Sequence, residues 1–358
     1  MKKSFFTQNL MRWNKDANRR EMPWKNEKDP YKIWLSEIIL QQTRVEQGWN
    51  YYLRFIKAFP GISKLANSNE QKVFKLWEGL GYYSRCKNLI ATAKLIEEQY
   101  AGRFPGDYDK LLALPGIGPY TAAAIASFAF NQPKAVVDGN VIRVLSRFKG
   151  IDVPADSLSG KKLFNELAQQ FLDKENPGIY NQAIMDFGAT VCKPRNPTCD
   201  ICILRKRCNA FLTGRANDLP VKEKKITKKI RWLYYFIMIY KGKVYIRKRT
   251  NKDIWHNLHE FVLIETKKAI TPGNWLQVAG LKQLINPEYA IVSSTSRIYT
   301  QQLTHQTIHG QFIEIRLQIP LKANLGYDAI PLGKLHDYPL PKFMITYLEE
   351  KNVNLRNG

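Results

Sequence analysis

Four cysteines crowd together as Cys192, Cys199, Cys202 and Cys208, a C-x6-C-x2-C-x5-C run. Thiolates this close on a short loop converge on one metal centre. Zinc sites with four cysteines usually take two well-separated C-x2-C pairs. A single pair flanked by unequal gaps suits the irregular spacing of iron–sulfur ligands, so a [4Fe–4S] cluster is favoured and zinc is the alternative. Inside the first gap, Lys193 and Arg195 stand on a loop stiffened by two prolines, placed to meet phosphate. Glu37 lies in the apolar stretch WLSEIILQQT and shares a helical face with Gln41. A carboxyl group in such surroundings has a raised pKa, which suits a general acid. Asp138, in VVDGNVIR, reads by itself as a turn residue or helix cap. In LPGIGPYT, Gly116 and Gly118 make a tight turn with uncovered amides before a helix, an anion site that grips phosphate without reading bases. GLGYYSR (79–85) puts aromatic side chains on flexible glycines, the makings of a wedge into a base stack.

The elements around these residues fall into two kinds. Apolar residues recur at helical spacing from Ile33 to Val45, from Val73 to Leu80, and in 89–100, 121–130, 141–148, 163–173 and 180–192. Pro-Gly pairs at 60–61, 105–106, 115–116 and 177–178 separate them. The polar, lysine-rich stretch 214–229 then reads as a connector. Beyond it, WLYYFIMIY and KVYIRKR flank a Lys241-Gly242 turn, and 297–319 repeats that form around His309-Gly310. Two short helices are expected near 274–285 and 341–350. The fold class is therefore multi-domain: an all-α domain over 1–213, a connector over 214–229, and a small α+β domain over 230–358.

Composition narrows the partners. Across 358 residues, 55 Lys and Arg against 31 Asp and Glu leave a formal charge of +24. An excess of this size attracts phosphate polyanions, and both halves of the chain share it. No apolar run reaches the roughly 18 residues of a membrane span, and the N-terminus lacks the apolar core of a secretory signal. Five cysteines, four of them in one loop, are no disulfide framework. A reducing compartment is expected, with Cys86 an ordinary, partly buried thiol.

Taken together and in order, WLSEIILQQT, GLGYYSR, LPGIGPYTAAAIASFAF, VVDGNVIRV, NQAIMDFGA and the cysteine loop closely resemble the MutY-type adenine DNA glycosylases of the helix–hairpin–helix superfamily. The likeness runs through nearly all of 5–215. It implies a [4Fe–4S] cluster on the four cysteines. It implies that Glu37 protonates a flipped-out adenine at N7 while Asp138 stabilises the cationic sugar and helps deliver water. Tyr120 would bond within that site and Asn140 would orient the carboxylates. Arg20, Trp24 and Gln182 would line the adenine pocket, and Gln42, Leu80 and Tyr82 would press into the duplex. Endonuclease III-like relatives carry a Schiff-base lysine where Tyr120 stands, so the resemblance implies a monofunctional enzyme that leaves an abasic site.

The C-terminal part resembles the Nudix-like domain with which this family recognises 8-oxoguanine. The metal-binding glutamate cluster of active Nudix hydrolases is missing, since Glu260, Glu265 and Glu288 are too scattered. Where the family has Phe-Ser-His on a hairpin, this chain has Leu303-Thr304-His305, so Thr304 and His305 are the expected readers. The expected partner is double-stranded DNA bearing A·8-oxoguanine or A·G, bound by a monomer in the cytoplasm, at a bacterial nucleoid, with no membrane. The rivals are a thymine mismatch glycosylase of the same superfamily and a non-catalytic lesion-binding protein.

Overall fold

A computed structural model describes residues 3–351 except 224–227, 252, 271–272, 274, 304 and 323–324. The chain forms two compact units, one of residues 3–68 with 87–223, the other of 69–86 with 228–351.

The first unit is helical. Pro30–Leu40 begins with Asp29, whose side chain accepts from the Tyr31 amide at 2.9 Å, and with Pro30 in the first turn. Its middle is buried on every side, Ile33 to Ile39 inclusive, which is why it reads as a continuous apolar run. It packs against Pro119–Phe130, where Thr121 to Ser127 are all buried. A row of alanines there lets the two backbones approach closely. Gly139–Lys149 packs in turn against Pro177–Thr190, and the latter against Phe5–Asp16. Their shared core includes Phe6, Leu10, Val141, Leu145, Phe164 and Phe187. The connector expected at 214–229 is not free along its length. Its first half is bonded to the helical unit, the Leu219 carbonyl accepting from Arg147 at 3.0 Å and the Val221 carbonyl from Ala155 at 3.0 Å.

The second unit is built on an eight-stranded sheet of β1 (Lys229–Tyr240), β2 (Lys243–Lys248), β3 (His259–Glu260), β4 (Val262–Thr266), β5 (Ala290–Thr295), β6 (Tyr299–Gln302), β7 (Gln306–Leu317) and β8 (Asp328–Pro331). The strand order is β3-β2-β1-β7-β5, with β4 on β1, β6 on β7 and β8 on β2. The β1–β2 hairpin turns at Lys241-Gly242 as the sequence predicts. The parallel pairing of β1 with β7, from Lys229 opposite Gln306 to Ile239 opposite Arg316, was not legible there. It explains the composition of β1. Leu233 to Met238 are all buried because both faces are covered, so apolar residues do not alternate with polar ones. The helix expected near 341–350 is Lys342–Glu350, and that near 274–285 shrinks to Ala279–Lys282 behind a short 3-10 turn.

One expectation fails. The second hairpin does not turn at His309-Gly310, since β7 runs straight through both residues and pairs with β6 from Tyr299 opposite Gly310 to Gln302 opposite Thr307. Gly310 serves close packing instead. A Cβ placed there would lie 2.1 Å from Cζ of Phe343, whose ring also packs on Phe312 at 5.6 Å. Gly310→Ala should therefore cost about 1–3 kcal/mol through overpacking, read as a lower denaturant midpoint for the second unit. An unchanged midpoint would mean that the ring does not occupy that space.

Residues 69–86 bring the helix Glu70–Trp77 and the GLGYYSR loop into this unit. The Glu78 carboxylate accepts from the Leu340 amide at 2.8 Å, and the Tyr83 hydroxyl donates to the Leu340 carbonyl at 3.4 Å.

Candidate functional site

Glu37 sits one turn from the end of its helix, 7% exposed, and lines a cavity of about 540 Å³ within the first unit. Asp138, Tyr120, Asn140, Arg20, Trp24 and Gln182 line the same cavity, and so does Gln42, which the resemblance assigns to the duplex, so eight residues scattered over 160 positions come together. Burial pushes the Glu37 carboxyl up to about 7, a hydrogen bond from Tyr120 opposes the shift, and the facing Asp138 charge adds to it. A carboxyl group near neutrality holds its proton at working pH and can give it up.

Asp138 is both a cap and a cavity residue. Its Oδ1 accepts from the Val141 amide at 2.8 Å, starting the helix Gly139–Lys149, and its Oδ2 accepts from Asn140 Nδ2 at 2.7 Å. Burial raises its pKa, while the Val141 amide, Asn140 and the nearby Arg143 charge hold it down. Asn140 is itself fixed, because Arg143 Nη2 donates to its Oδ1 at 2.7 Å and to the Gly188 carbonyl at 2.7 Å. Arg143 Nε then reaches the Cys192 carbonyl at 2.8 Å. A continuous chain of hydrogen bonds thus joins the cysteine loop to the carboxylate.

Behind the pocket wall lies a residue that sequence reasoning passed over. Asp186, in the quoted NQAIMDFGA, is fully buried and bonded to Arg20, Gln182 and Asn18, each at 2.9 Å, with Lys25 at 3.4 Å. The signal was present, an acid one helical turn beyond the pocket glutamine on a mostly apolar helix. Lys25 also lines the cavity and was likewise missed.

The hairpin takes the expected shape. Gly116 has φ of +72°, and a Cβ there would fall 2.6 Å from that of Asn88, so only glycine fits. A Cβ on Gly118 would meet nothing within 4 Å, and no side chain caps the helix it begins. No side chain therefore accepts from its first amides. In the GLGYYSR loop, Tyr82 is exposed at φ +48° whereas Leu80 is buried. Arg85 lies over the Tyr82 ring at 5.4 Å and donates to the Gly81 carbonyl at 3.2 Å.

Cys192, Cys199, Cys202 and Cys208 line one small cavity together with Arg147. Arg147 Nη1 approaches Cys192 Sγ at 3.4 Å and holds the Lys193 carbonyl at 2.7 Å. Burial, with the neighbouring thiols adding to it, pushes Cys202 up to about 11, so that sulfur ionises fully only beside a cation. Among the described residues, no group of three or more His, Cys, Asp or Glu side chains is disposed to hold a single metal ion. Cys86 is fully buried, more deeply than expected.

In the second unit, His305 is exposed at the β6–β7 turn, its carbonyl accepting from the Lys229 amide at 3.0 Å, while Thr304 lies outside the described residues. Glu260 is buried against Arg247, at 2.9 Å, and Arg249; Glu265 pairs with Arg231 at 2.7 Å. Among the described residues, no helix is long and apolar enough to cross a membrane.

Residues 35–174 match the family described as HhH-GPD superfamily base excision DNA repair protein, and 234–350 match the NUDIX domain. The adenine DNA glycosylase of Buchnera aphidicola subsp. Schizaphis graminum is 35% identical over 96% of this chain and 98% of its own length. The adenine DNA glycosylase of Mus musculus is 42% identical over 60% of this chain and 44% of its own length. Among solved structures, a thermostable thymine-DNA glycosylase superposes with a TM-score of 0.54 at 29% identity, over 58% of this chain and 95% of its own. A non-covalent endonuclease III–DNA complex, at 0.51 and 21% identity over 59% of this chain and 95% of that one, shares the fold.

Proposed function

The chain belongs to the MutY-type adenine DNA glycosylases, and we propose that it hydrolyses the N-glycosidic bond of adenine paired with 8-oxoguanine, and less efficiently with guanine. The observation that carries the reading is a buried carboxyl near neutrality in the same cavity as a second carboxylate. A base inside the helix is out of reach, so the nucleotide must first swing into that cavity. Glu37 then donates its proton to adenine N7, turning the base into a good leaving group. Asp138, ionised, faces the positive charge that grows on the sugar and helps aim the attacking water. Asn140, itself held by Arg143, and the Val141 amide hold its oxygens in place, and the Tyr120 hydroxyl bonds to Glu37. Tyr120 has no amine to form a Schiff base, so the product is an intact strand with an abasic site. Arg20, Trp24 and Gln182 wall the adenine pocket.

Gln42, Leu80 and Tyr82 serve as the duplex-facing residues in this reading, with exposed Tyr82 the more available of the loop pair. The backbone amides at Gly116 and Gly118, with Lys193 and Arg195, hold backbone phosphates. The four cysteines hold a [4Fe–4S] cluster. Their sulfurs line one small cavity, and a single C-x2-C pair flanked by unequal gaps suits iron–sulfur ligands better than a four-cysteine zinc site. When bound, the cluster supplies a rigid staple for the loop that carries Lys193 and Arg195. Thr304 and His305 read 8-oxoguanine from the second domain, and residues 214–229 join it to the helical domain 1–213 as a basic connector in a monomer. A nucleoid-associated bacterial setting follows from this DNA role.

The experiment compares base release from A·8-oxoguanine, A·G and G·T duplexes under single turnover. Free adenine should appear from the first fastest, then from the second. Thymine from G·T instead would favour the rival suggested by the thymine-DNA glycosylase neighbour, whose likeness covers 58% of this chain. Tight binding with no base released would mean a lesion-binding protein.

A further inference from the structure

Resting on the adenine reading, we propose that Asp186 is the positioning residue that makes the pocket read an amino group, not a carbonyl, at purine C6. It acts by fixing which end of the Gln182 amide faces the cavity. Asp186 is fully buried in the helix Pro177–Thr190, one turn beyond Gln182. Its Oδ1 accepts from Gln182 Nε2 and Arg20 Nη1, both at 2.9 Å. Its Oδ2 accepts from Asn18 Nδ2 at 2.9 Å and lies 3.4 Å from Lys25 Nζ.

A carboxylate between two cations has only lone pairs to offer. The end of Gln182 that meets it must therefore be the NH2 group, and this assignment follows from chemistry alone. The amide oxygen is thereby left for the cavity that Gln182 lines. Adenine brings an amino donor at C6, whereas hypoxanthine and guanine bring an acceptor. An acceptor set against the fixed Gln182 oxygen would leave two lone pairs facing each other without water, and sites built this way reject the mismatched group strongly. Asn18 is pinned as well, since its Oδ1 accepts from the Arg20 amide at 3.1 Å, so the whole wall is preorganised around one anion.

The test is single-turnover release of adenine and of hypoxanthine, each placed opposite 8-oxoguanine in the same duplex. Pairing differences between the two bases cancel when variants are compared. Asp186→Asn presents an amide that donates or accepts, so Gln182 is free to turn over. The adenine-to-hypoxanthine ratio should then fall at least tenfold, and Asp186→Glu, which restores an acceptor-only anion, should recover most of it. If both rates drop in parallel and the ratio stays put, Asp186 is merely structural and the inference is overturned. Should Asp186→Asn fail to fold, Gln182→Met keeps the volume without the amide and should collapse the ratio in the same way; an unchanged ratio there overturns it too. A wild type that releases hypoxanthine as readily as adenine contradicts the inference while leaving the enzyme a purine glycosylase. A wild type that releases neither overturns the adenine reading itself, and the inference with it.

Discussion

Glu37→Gln should lower single-turnover adenine release by about 10²- to 10⁴-fold, the usual worth of a positioned acid, with the fold unchanged. Glutamine has the same length and is neutral, as Glu37 is when protonated, so burial costs it little. It keeps a group able to bond with Tyr120 but has no proton to give to N7. Adenine leaving without protonation is a poor anion, and the barrier rises accordingly. Binding of the mismatched duplex should survive, because the proposed phosphate contacts lie on the hairpin and the cysteine loop. A rate within threefold of wild type would remove Glu37 from the chemistry.

Asp138→Asn should be nearly as severe, with about a 10²- to 10³-fold loss, the scale for removing one preorganised charge opposite a developing one. This substitution separates two jobs that one side chain performs. Asparagine is as good a cap as aspartate, so the bond to the Val141 amide and the start of Gly139–Lys149 should persist. What disappears is the negative charge facing the sugar. Thermal unfolding should therefore stay close to wild type while release collapses. If stability falls in step with activity, the cap was the main role of Asp138.

The sequence made the site legible because its chemistry is local. Glu37 announces itself as a carboxyl inside an apolar helix, and the cysteine spacing needs no fold to be read. Asp138 was ambiguous for a physical reason: it is the cap it resembles, and only the cavity on its other side reveals the second task. Asp186 escaped because its partners Asn18, Arg20 and Lys25 lie more than 160 positions away, a pairing that no local pattern encodes. The sheet failed in the same way. A glycine after a histidine looks like a turn, but at Gly310 the reason is a ring from Lys342–Glu350 arriving from far along the chain. The connector likewise hid its bonds to Ala155 and Arg147 behind a composition that reads as solvated.

Both carboxyl groups leave a mark on pH dependence. Asp138 must be ionised to act, so release should weaken in acid as it takes up a proton; burial moves that limb upward. Glu37 must be protonated, so release should weaken in base once pH passes about 7. The decisive measurement is the single-turnover rate of adenine release from about pH 5 to 9, for wild type and Glu37→Gln side by side. The wild-type rate should fall roughly tenfold per pH unit above neutrality, and that limb should vanish in the variant. A wild-type rate that is flat or rising through this range, or a variant that keeps the same falling limb, would contradict a proton delivered from Glu37.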